Sequence, residues 1–206
     1  MLSLISALLF VRIMRKGNNK KDQNYDVYCF MGSFVFYLLT DITMCFLFRK
    51  TCTPAETAGM IFFMNTMFLI TVKDIKQRII PNSLVLALIA ARLLTSVAAG
   101  ISGGNVKTEL LKAAAGMICG FIITGIAAVI PGKGMGAGDV KMYAAIGAFA
   151  GLTGVMDILI YTCLLCSVTG MVIIAVRKCS VKTFLPMAPF AYAGTIIYVI
   201  TGSAVL

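Results

Sequence analysis

The chain has 206 residues, 60% of them hydrophobic, with a mean hydropathy of +0.96 and a formal net charge of +10. An ordinary globular domain is nearer half apolar, so this composition points to a polytopic membrane protein rather than a soluble domain. The sequence contains no His, which excludes Ser-His-Asp triads, Cys-His dyads and His-ligated metal sites.

Residues 1–14 form a short apolar run broken by Arg12, too short for the roughly 20 residues that a bilayer requires. Its basic residues follow the apolar part and no small-residue cleavage site appears, so an interfacial helix or mobile N-terminus is expected rather than a secretory signal. The stretch to residue 26 is polar and basic. Seven apolar segments follow, near 27–48 (A), 54–72 (B), 83–100 (C), 109–130 (D), 139–153 (E), 155–176 (F) and 184–205 (G). Thr53-Pro54-Ala55-Glu56 reads as a capping box with proline at the first helical position, a start signal for B. Asn82 or Ser83 is placed to cap C after Pro81. Segment E is short and opens at Asp139. The expected fold is all-α: a polytopic membrane bundle of about seven transmembrane helices. Three regions are expected: a cytoplasmic or interfacial segment 1–26, an extra N-terminal helix 27–50, and a membrane core 51–206.

Seven Cys are scattered, mostly inside apolar runs, where Cys behaves as a small hydrophobe. Cys163 and Cys166 have CxxC spacing but no second pair, and zinc needs four ligands. Neither a metal nor any other cofactor is expected. Basic residues lie between apolar runs and are not interleaved with aromatics, so they read as topology and anionic-lipid contact rather than nucleic-acid binding. With the N-terminus in the cytoplasm, the inner side carries thirteen Lys and Arg and the outer side four, with Arg92 left inside C. This arrangement puts Asp74, at the end of B, and Asp139, at the start of E, on the same cytoplasmic face, although neither entered the count.

Acidic residues number only eight, which makes these two conspicuous. Asp139 closes the glycine-rich stretch Gly134-Met135-Gly136-Ala137-Gly138-Asp139. Asp74 lies in Lys73-Asp74-Ile75-Lys76-Gln77-Arg78-Ile79-Ile80-Pro81-Asn82. Peptide hydrolysis requires an activated water and a proton for the leaving amine. Two close carboxylates cannot both ionise cheaply, so together they supply a base and an acid. Gly134, Gly136 and Gly138 allow close backbone approach to an extended peptide, with N–H groups free to bind it. Each residue also has a plainer reading. Asp139 serves as an N-cap, Asp74 as a solvated interfacial residue, and Lys141 as a positive-inside anchor. Within the membrane, Asp41 in A and Arg92 in C lie at matching depths and are expected to pair. Their alternative is a protonated Asp41 and a snorkelling Arg92. Asp157, near the start of F, reads as a cap. The Gly and Ala of D and E read as close helix packing.

These residues resemble the type IV prepilin peptidases and the related preflagellin peptidases, GxGD-type membrane aspartic proteases. Gly136-Ala137-Gly138-Asp139 stands where the GxGD motif would be. Asp74 to Asn82 looks like the first-Asp segment with its trailing Ile80-Pro81-Asn82, and Phe184 to Phe190 looks like the proline-containing start of the last helix. The resemblance covers about residues 54–205, a six-helix peptidase core to which segment A is extra. It implies catalytic Asp74 and Asp139; Gly134, Gly136, Gly138 and Lys141 are read beside them as substrate-binding or loop residues. The implied activity is removal of the basic leader from pilin-like precursors, of Flp/Tad or flagellin-like type, at the cytoplasmic face of the plasma membrane. Larger members carry a cytosolic domain with paired CxxC motifs and also N-methylate the product. No such domain is seen here, so a peptidase-only form is expected.

Two other functions compete. A non-catalytic transporter or pilus-assembly partner could use the same scaffold, but no inverted repeat is visible. A presenilin-type protease shares GxGD, but its first Asp normally follows Tyr. Here Val72-Lys73 precedes Asp74.

Overall fold

The computed structural model describes residues 23–48, 53–101, 105–130, 135–177 and 186–201. Among these it has six helices and no strand: α1 (Gln23–Phe48), α2 (Pro54–Gln77), α3 (Asn82–Ile101), α4 (Val106–Val129), α5 (Ala137–Arg177) and α6 (Ala188–Ile200). Four of them, α2 to α5, are long and apolar enough to cross a membrane. Large apolar side chains such as Leu94, Ile101, Leu111 and Val129 are exposed on the bundle surface, as lipid-facing helices require.

Segments E and F form one helix assignment, α5, broken at Gly151 with φ 72 and ψ −173. Only glycine adopts that region readily. The break is a reversal. A Cβ on Gly120 of α4 would meet both the Tyr143 carbonyl and Val155 Cγ2, and one on Gly116 would meet both Gly147 and Gly151. A straight helix would separate Tyr143 from Val155 by about 18 Å. The chain therefore doubles back, and α5 is two antiparallel arms, 137–150 and 152–177. At about 1.5 Å per residue the first arm is about 21 Å long, short of a hydrocarbon core of about 30 Å. The first arm and the 13 residues of α6 therefore fall short of spanning length, and so does Phe34–Phe46, the apolar part of α1 among the described side chains.

The first arm of α5 is the centre of the bundle. From Met142 to Ala150 every residue is buried. Small residues there let α4 approach at backbone distance, as at Gly116 and Gly147. The larger ones fill the core: Tyr143 and Ile146 are fully buried, and Phe149 stacks on Phe63 of α2 at 4.7 Å. Helix α1 packs on the outside through aromatic contacts. Phe36 stacks on Phe68 at 4.5 Å, and Tyr37 meets the same ring edge-on at 5.5 Å.

The expected Asp41–Arg92 pair does not form. Asp41 Oδ1 instead accepts from Asn65 Nδ2 of α2 at 3.1 Å. Arg92 pairs with Glu109 of α4 at 3.0 Å, and its Nε donates to the Ala148 carbonyl at 3.0 Å. The reason is local to Gly151. The reversal strips the last carbonyls of the first arm of their helical partners. Arg92 takes that of Ala148, and the Tyr198 hydroxyl donates to that of Ala150 at 3.5 Å. A cation at a helix C-terminus also complements the dipole. Glu109 was read as a segment boundary, but α4 begins at Val106 behind an Asn105 N-cap, which places Glu109 one turn inside. Asp157 lies six residues past the break, inside the second arm, beyond any cap position.

Candidate functional site

Both aspartates lie at the end of the bundle opposite the Gly151 reversal, and the local sequence explains how each is held. The capping box expected for α2 is present: Glu56 N–H donates to Thr53 Oγ1 at 3.3 Å, and Thr53 N–H donates to Glu56 Oε2 at 2.7 Å. The helix then runs to Gln77, past the expected end at 72. Apolarity marks what the membrane can hold, whereas Lys, Asp and Gln continue a helix readily once its surroundings are polar. Asp74 is therefore a helical residue on the last turn, and it is 6% exposed. Arg78 ends the helix in the left-handed conformation (φ 52), its N–H donating to the Asp74 carbonyl at 2.8 Å.

The Asp74 side chain caps another helix. Its Oδ2 accepts from Ala188 N–H, the first helical amide of α6, at 3.0 Å. Met187, the N-cap residue, makes no capping bond of its own, and Pro189 has no N–H to satisfy. A carboxylate at a helix N-terminus satisfies an orphan amide and opposes the positive end of the dipole. Thr71 adds a second tie, donating to the Ala188 carbonyl at 3.3 Å. The Pro186–Pro189 stretch had been noted only as the start of the last helix. Its part in seating Asp74 was not foreseen, because a backbone amide leaves no signature in the sequence beyond the prolines around it.

Asp139 is half-buried in the first turn of α5, three residues after Gly136. It is not the N-cap that the plainer reading made it. Its Oδ2 reaches back to accept from Gly136 N–H at 3.1 Å, one half of a capping box. Gly138 allows close approach: its missing Cβ would lie 3.2 Å from Ile80 Cβ. The trailer of the Asp74 segment thus rests directly on the loop that carries Asp139. Lys141, exposed two residues beyond Asp139, donates from Nζ to Asn82 Oδ1 at 3.3 Å. Asn82 is already the first helical residue of α3, and the first amides of the helix, those of Leu84 and Val85, donate to the Pro81 carbonyl rather than to the side-chain cap expected from Asn82 or Ser83. Gly134 lies outside the described residues, as do residues 1–22 and the Phe184–Leu185 part of the proline segment.

The two carboxylates lie at the same end of the bundle, linked through the Ile80–Gly138 contact, and no hydrogen bond joins them among the described residues. Each gives one oxygen to a backbone amide. Oδ1 of Asp74 and Oδ1 of Asp139 carry no hydrogen bond from the described residues, so each carboxylate keeps an oxygen able to accept. Among the described residues no group of three or more His, Cys, Asp and Glu could hold a metal ion. Cys163 and Cys166 are free thiols on the second arm of α5.

Residues 61–171, more than half of the chain, match the type IV leader peptidase family, and the chain belongs to that family. The matched span includes both Asp74 and Asp139. It is similar to the prepilin leader peptidase/N-methyltransferase of Bacillus subtilis (strain 168), with 27% identity over 155 residues, 73% of this chain and 58% of that protein. It is also similar to the prepilin leader peptidase/N-methyltransferase of Xanthomonas campestris pv. campestris, with 30% identity over 131 residues, 61% of this chain and 44% of that protein. The chain spans about half the length of these curated relatives. No solved structure matches it.

Proposed function

We infer that this member of the leader peptidase family is an aspartic endopeptidase that removes the basic leader from pilin-like precursors, with Asp74 and Asp139 as its catalytic pair. The observation that carries the reading is the position of the two carboxylates. They stand at one end of the bundle, on segments in contact through Ile80 and Gly138, each anchored through one oxygen to a backbone amide.

The chemistry follows from sharing a proton. Close like charges act as one coupled titrating unit, so one carboxyl is ionised while the other holds the proton. The ionised member takes a proton from a water bound between the Oδ1 atoms, and the resulting hydroxide adds to the scissile carbonyl. The protonated member donates to the carbonyl oxygen and the tetrahedral intermediate forms. Collapse breaks the C–N bond as the amine takes a proton from one carboxyl while a hydroxyl of the intermediate returns its proton to the other, which regenerates the starting state. Ala188 N–H and Gly136 N–H keep each carboxylate aimed through this cycle. The glycine stretch around Gly136 and Gly138 gives an extended peptide room to lie against backbone. The leader's positive charge suits the acidic pair, and the apolar segment behind it suits the bilayer. By the positive-inside bias this end faces the cytoplasm.

The test is co-expression with a pilin-like precursor that carries a basic leader ahead of an apolar run, read as the mobility shift of leader removal. Asp74→Asn and Asp139→Asn each cut the cleavage rate at least about a hundredfold, the scale of lost acid–base catalysis, while membrane levels of the protein stay unchanged. Cleavage that survives both substitutions refutes the mechanism.

A further inference from the structure

Lys141 and Asn82 touch neither carboxylate, yet they join the two elements that carry them. Asn82 opens α3 directly after the turn that follows the Asp74 helix, and Lys141 stands two residues beyond Asp139. Their hydrogen bond, Nζ to Oδ1 at 3.3 Å, crosses between these elements. Beside it lies the seat of Gly138 on Ile80. The first turn of α5 needs such ties. The arm is buried only from Met142 onward, apart from Val140, whereas Gly136, Ala137 and Lys141 are exposed. Two glycines in this turn raise the entropy lost in fixing it. The position of Asp139 relative to Asp74 therefore depends on the contacts made by Gly138 and Lys141.

The pair also closes one end of an apolar groove of about 370 Å³ between α3, α4 and α5, walled by Val85, Ile89 and Ala144. Between exposed groups a bond of this kind adds little to global stability. Its effect is on geometry.

Resting on the aspartyl reading above, we propose that Lys141 and Asn82 are positioning residues: their hydrogen bond latches the Asp139 turn to the Asp74 helix and sets the separation of the two carboxylates. A misplacement of about 1 Å is enough to cost about a hundredfold in rate. The simpler role for Lys141, a charge that anchors the helix end at the membrane surface, predicts no sensitivity at the uncharged Asn82.

The experiment uses the full chain in proteoliposomes with a synthetic precursor of basic leader and apolar segment. Asn82→Leu, which changes no charge, lowers kcat by about ten- to a hundredfold and leaves KM within about twofold. Asn82→Asp keeps an acceptor for Nζ and retains kcat within about threefold. Lys141→Met matches Asn82→Leu and serves in its place should that variant fail to fold. The double variant is no slower than either single, as residues acting as a unit require. Full kcat in Asn82→Leu and Lys141→Met overturns the latch. So do multiplied losses in the double variant, and so does a rise in KM alone, which marks substrate binding. The Asp→Asn variants keep the two readings apart. If they still cleave, the aspartyl mechanism fails. If they are silent while Asn82→Leu is fully active, only the latch fails.

Discussion

Asp74 has two duties that a single substitution can separate. Its Oδ2 caps α6 through Ala188 N–H, and on the aspartyl reading its carboxyl group also takes part in the reaction. Asparagine keeps an acceptor oxygen for the amide but cannot act as base or carboxylic acid. Alanine removes both. Asp74→Asn therefore abolishes cleavage with little change in thermal unfolding in detergent. Asp74→Ala is equally inactive but also loses about 1 kcal/mol, the usual cost of a missing N-cap. Equal stability of the two variants would show that the Ala188 bond contributes nothing. Both aspartates were visible in the sequence because carboxylates are rare in so apolar a chain. The amides that hold them were not, because any residue but proline offers the same N–H.

At the scale of the helix, the reversal in α5 rests on one residue. Gly151 has open space around its Cα, so the obstacle to a side chain there is backbone conformation alone. Gly151→Ala costs about 1–3 kcal/mol through that strain. Gly170 also has nothing near it but sits in regular helix, so Gly170→Ala is neutral or stabilises by up to about 1 kcal/mol. Thermal unfolding of the two variants side by side checks the contrast, and equal shifts would mean that the reversal does not depend on glycine. Arg92 secures the same place. Arg92→Leu leaves the Ala148 carbonyl unpaired and Glu109 with only Lys112 at 3.4 Å. With both ionic partners partly exposed, at 13% and 21%, about 1–3 kcal/mol is the expected loss. Adding Glu109→Leu restores part of it, because the residue left unpaired carries most of the cost. The sequence reading ended segment E at 153 and took Gly151 for a packing glycine within it, because a positive φ leaves no mark beyond the glycine itself, but it marked Arg92 as a charge needing a partner. It could not name Glu109 or Asn65 as partners. Matching depth is one coordinate of three, and rotation about each helix axis decides which side chains meet.

Across the whole molecule, the helices alternate in direction, so each charged terminus belongs to one end or the other. The aspartate end carries Lys73, Lys76, Arg78 and Lys141, and the reversal end carries Lys107 and Lys112 together with Glu56 and Glu109. At the reversal end those acids are engaged: Glu56 closes the α2 capping box and Glu109 holds Arg92 and Lys112. The positive-inside rule applied to these two ends favours the aspartate end as the cytoplasmic one. A sequence count alone had to assume seven crossings, whereas the bundle reaches the same polarity with the α5 arms doubling back inside it. Placing the site on the cytoplasmic side makes a prediction independent of catalysis. In a background free of native cysteines, Gln77→Cys and Thr108→Cys change no charge and both sites are exposed, at opposite ends. A membrane-impermeant maleimide labels Thr108→Cys in intact cells and Gln77→Cys only after permeabilisation. The reverse pattern would put the aspartates outside, where a leader still attached to an unexported precursor could not reach them.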